Sequence, residues 1–161
     1  MPATKNIRQQ ILSVLKTDFA KITVANGYGK TITNIVKGAI ELKETNDTHI
    51  LGYFFGEETR DDEINGLQKC NLPLVVYIEF KHTQDKENLI DTAEIYLKDL
   101  EMFFRRDTSK VNPTAVCIAF KIAQVIKFDI KSLAPVIEGG AGTVAMLINI
   151  QYVSSKTQNI F

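Results

Sequence analysis

Two periodicities organise this chain. In the run Leu74 to Lys81, Leu74, Val76, Ile78 and Phe80 share one parity, while Val75, Tyr77, Glu79 and Lys81 grow polar on the other. A two-residue rhythm in a β-branched and aromatic run predicts a strand with one face on a core. The period then changes. Leu89, Ala93, Tyr96, Leu97, Leu100, Phe103 and Phe104 recur at three- and four-residue steps and predict a helix over about 85–105. Asp85 and Glu87 in its first turn and Arg105 and Arg106 in its last suit the helix dipole. Glu94 with Lys98, and Glu101 with Arg105, add exposed pairs four residues apart, each contributing about 0.2–0.5 kcal/mol.

The same reading extends to the rest of the chain. Ile7, Ile11, Val14, Leu15 and Ile22 share a helical face flanked by Leu12 and Phe19, which predicts a first helix over about 4–22. Asn26-Gly27-Tyr28-Gly29 turns the chain. Thr31 to Leu42 reads as extended and interrupted near Gly38, and His49 to Phe55 as a second extended run. Gly56 to Gly66 is acidic and patternless and predicts a long exposed loop. Val116, Ile118, Phe120, Ile122, Ile126, Phe128 and Ile130 share one parity, interrupted at Gln124. That length is either two strands hinged near Gln124 or one long bent strand. A loop over 131–142 ends in Glu138-Gly139-Gly140-Ala141-Gly142, and Thr143 to Val153 forms the last strand. The pattern as a whole predicts an α+β domain over residues 1–153. It has a mainly antiparallel β-sheet packed by two principal helices (about 4–22 and 85–105), a long C-terminal β-hairpin, and a polar tail over 154–161.

Composition narrows the function. The 161 residues carry 19 basic and 19 acidic side chains, so the basic excess of a dedicated nucleic-acid binder is missing. Cys70 and Cys117 read as reduced thiols of an intracellular protein. The opening residues form a polar amphipathic segment rather than a secretory core, and no apolar run approaches the roughly 20 residues of a membrane span. Candidate chemistry is sparse. His49 and His82, the only histidines, stand at strand ends without a partner motif. The glycines of 138–142 precede a strand, where a phosphate loop precedes a helix. Asp61, Asp62 and Glu63 match no calcium-loop spacing. No catalytic residue, metal site or cofactor is expected, and the chain reads as a non-enzyme.

Protein contact is the better-supported expectation. Ile95 and Met102 point almost opposite the Leu97 and Leu100 face, and Val75 and Tyr77 lie on the strand face away from Leu74 and Ile78. With the acidic loop residues Glu57, Glu58, Asp61, Asp62 and Glu63, and with Ile160 and Phe161 in the tail, they form the candidate protein interface. The alternative is a small α+β enzyme or ligand-binding domain with a cleft beside the sheet, using His49, His82, Asp61 and Glu63 as its polar groups.

The order of elements carries a resemblance. The helix "IRQQILSVLKTDFAKI" is followed by "ANGYGK" and a strand, then by "LPLVVYIEFK", the helix "NLIDTAEIYLKDLEMFF" and a closing hairpin. This resembles the tail terminator, or tail completion, proteins of long-tailed bacteriophages (siphophages) along nearly the whole chain. The resemblance implies a small α+β subunit of a hexameric ring at the head-proximal end of the tail tube, in the virion. Its implied partners are further copies of itself, the major tail tube protein and a head-completion or neck protein. DNA would only pass through the lumen, and no membrane is involved. A chain of neutral net charge is compatible with such a passage, since DNA affinity grows with the number of phosphates neutralised.

Overall fold

The computed structural model describes residues 7–38, 49–62, 66–81, 86–105, 125–138 and 140–155. Helix α1 spans Ile7–Phe19, and a 3₁₀ turn follows at Val24–Asn26. Strands β1 (Ile35–Lys37), β2 (His49–Phe55), β3 (Thr59–Asp62) and β4 (Leu67–Lys81) precede helix α2 (Lys86–Arg105). Strands β5 (Val125–Ser132), β6 (Val136–Glu138) and β7 (Ala141–Ser155) complete the described chain.

The 3₁₀ turn after α1 has a local cause. Asn26 donates its backbone N–H to the Thr23 hydroxyl (3.2 Å), and Gly27 adopts φ 90°, a left-handed conformation that glycine takes without a Cβ clash. Ile22 lies past the helix but is still fully buried, held by the bond from Ile32 N–H to its carbonyl (2.9 Å).

The described strands form one sheet in the order β1-β2-β4-β7-β5, with β3 added beside β4 and β6 beside β7. Only β1 and β2 run parallel; the remaining pairs are antiparallel. The centre is a fifteen-residue ladder between β4 and β7, from Leu67 opposite Ser155 to Lys81 opposite Ala141. Because side chains alternate across a strand, register decides the faces. Leu72, Leu74, Val76, Ile78 and Phe80 of β4 stand beside Val144, Met146, Ile148, Ile150 and Tyr152 of β7, all buried. Leu51 and Tyr53 of β2 extend this face. Both helices cover it. Phe19 of α1 lies 5.2 Å from the Tyr53 ring and 4.8 Å from Phe103 of α2, and Tyr96 of α2 lies 5.1 Å from Phe80. On α2, Leu89, Ala93, Tyr96, Leu100, Phe103 and Phe104 are buried, as the helical spacing predicts, while Leu97 is half-buried.

The fold is therefore α+β with a mainly antiparallel sheet and two principal helices, and three details depart from the sequence reading. The acidic stretch 56–66 is not all loop: Thr59–Asp62 forms β3, paired with Gln68 to Asn71. The connection over 131–142 contains β6, paired with β7 through Gly140, whose φ is 78°. Strand β7 continues to Ser155 and buries Ser154, so the sheet runs into the expected tail. Strand β5 opens at Val125 with a register shift before Lys127, next to the expected interruption at Gln124. The expected rhythm over 116–124, Glu63, His82, Cys117, Ile160 and Phe161 lie outside the described residues.

Candidate functional site

The described polar residues with the most developed geometry sit where β2 hands over to β3. Strand β4 is long enough to pair with β2 through Leu74 to Phe80 and with β3 through Gln68 to Asn71. Pro73 falls in the gap between the two pairings, where its missing N–H leaves no ladder bond unmade. Its carbonyl accepts from Gly56 N–H at 2.8 Å, and the chain arcs past it into β3.

That arc turns Glu58 inward. Its side chain is only 4% exposed. Arg60 donates to Glu58 Oε2 through Nε (2.8 Å) and Nη2 (2.7 Å), and the Tyr152 hydroxyl donates to Oε1. Register supplies the floor, since Arg60, Cys70 and Tyr152 are successive neighbours across β3, β4 and β7. Burial pushes the Tyr152 phenol well above its ordinary value, and its bond to the Glu58 carboxylate pushes it the same way. A phenol held so far from neutrality remains a donor and is a poor general base. Among the described residues no buried side-chain nitrogen or oxygen lacks a hydrogen-bond partner. The cluster is a charge-assisted lock that fastens the β3 arm to β7.

A second buried carboxylate does the same for the turn after α1. Asp99, 1% exposed on α2, accepts from Gly29 N–H (2.8 Å) and Lys30 N–H (2.9 Å). Burial raises its pKa, while the two N–H donors, Lys30 and Lys98 oppose that shift. The close approach needs glycine at 29, because a Cβ there would stand 2.6 Å from Ile95 Cγ2.

The expected interface residues scatter. Ile95 is 38% exposed, as expected. Met102 is half-buried and packs against the core, which corrects the reading that placed it on the outer side with Ile95. Val75 and Tyr77 do face away from the helices and are half-buried. Tyr77 has an internal role: its hydroxyl donates to Gly38 O (3.0 Å), and its ring occupies the space beside Gly52. Glu57 and Asp61 are exposed, Asp62 belongs to β3, and Glu58 is inside the lock. Of the residues named for an enzyme, His49 Nε2 accepts from Thr33 N–H (3.1 Å) beside β1. Among the described residues no group of three His, Cys, Asp or Glu is placed to hold a metal ion, and no helix is long and apolar enough to cross a membrane.

Sequence reasoning overlooked Arg60 with Tyr152, and Asp99. The signals are present but faint. Glu58 and Arg60 stand two apart, the spacing of one strand face, and Asp99 interrupts the apolar stripe between Tyr96 and Phe103. No protein-family model and no curated protein matches the chain.

Proposed function

We propose that this chain is a structural subunit of a phage tail, forming a ring that caps the head-proximal end of the tail tube. The ring ends tube polymerisation and presents the surface to which the head-completion or neck protein attaches. The observation that carries the reading is the one-sided layering of the described residues. Both helices lie on one face of the sheet. The other face keeps Val75 and Leu147 half-buried and Phe54 37% exposed. A ring subunit needs apolar surface beyond its own core, and this face supplies it. The buried acids support the same reading, because Glu58 and Asp99 are engaged in holding chain segments together.

In this role the partners are further copies of the chain, the major tail tube protein and the neck protein, and DNA passes through the lumen without a dedicated site. The test is to incubate the purified chain with tail tube subunits and image the products by electron microscopy. Rings on one tube end and shortened tubes are expected. Tubes of unchanged length, with neither rings nor end-caps, overturn the reading.

A further inference from the structure

We draw no further inference here: the strongest candidate, the partly exposed apolar patch that Phe54, Val75, Tyr77 and Leu147 form on the sheet face away from the helices, carries nothing, because nothing in the structure shows what covers it.

Discussion

Replacing Asp99 by alanine tests how the turn after α1 is held to α2. The wild-type carboxylate accepts two backbone N–H groups, from Gly29 at 2.8 Å and Lys30 at 2.9 Å. Hydrogen bonds to a charged group contribute about 1.5–3 kcal/mol each. Two effects reduce the sum. Gly29 is exposed and Lys30 half-buried, so water reaches the freed donors, and burial of the charge is itself unfavourable, as the raised pKa records. The net loss expected for Asp99→Ala is about 2–3 kcal/mol. At roughly 2–4 °C per kcal/mol for a chain of this length, the melting temperature falls by about 5–10 °C. In urea the midpoint should drop with an unchanged slope, since the surface exposed on unfolding is the same. An unchanged midpoint would refute the clamp.

The pH dependence gives the argument a sign. The folded pKa of Asp99 lies above its ordinary value of 3.8, chiefly through burial. An acid whose pKa is raised by folding adds stability below the unfolded value and loses that addition as pH rises through the folded value. Wild type should therefore gain on Asp99→Asn as pH falls through this window, and the gain should level off below about 3.8. If the gap narrows on acidification instead, the N–H donors outweigh burial and the assigned balance is wrong.

Three further substitutions probe other parts of the fold. Gly52→Ala places a Cβ 2.2 Å from the Tyr77 ring and hydroxyl, and displaces the bond to Gly38; a loss of about 1–3 kcal/mol is expected, and it should shrink in a Tyr77→Ala background when both are measured by urea unfolding. Tyr152→Phe removes one donor from the nearly buried Glu58 carboxylate and should cost about 1–3 kcal/mol, with a double-mutant cycle against Glu58→Gln showing strong coupling. Leu100→Glu buries a charge at a fully buried position and should leave the chain unfolded by circular dichroism, whereas Ile95→Glu at a 38% exposed position should keep the native spectrum. Similar spectra from that last pair would show that the helix faces are misassigned.

The parts of this fold that can be read in the sequence are those where one element meets a broad apolar layer. Strands β4 and β7 each bury one parity on the helix-covered face of the sheet, so the two-residue rhythm survives along their length. Helix α2 keeps its stripe for the same reason. Strand β3 has no such signature, because Thr-Arg-Asp-Asp contains no apolar residue and its pairing depends on β4 and on the Glu58 lock. A helical wheel puts Met102 beside Ile95 but does not register what packs near the end of the helix, where Met102 is half-buried against the core. The two buried acids owe their burial to contacts distant in the chain. Asp99 binds backbone 69 and 70 residues away, and Glu58 binds a tyrosine 94 residues away. An acid where periodicity calls for an apolar residue signals a buried partner, since an unpaired charge there would be too unfavourable to keep. The identity of that partner comes only from sheet register and helix docking.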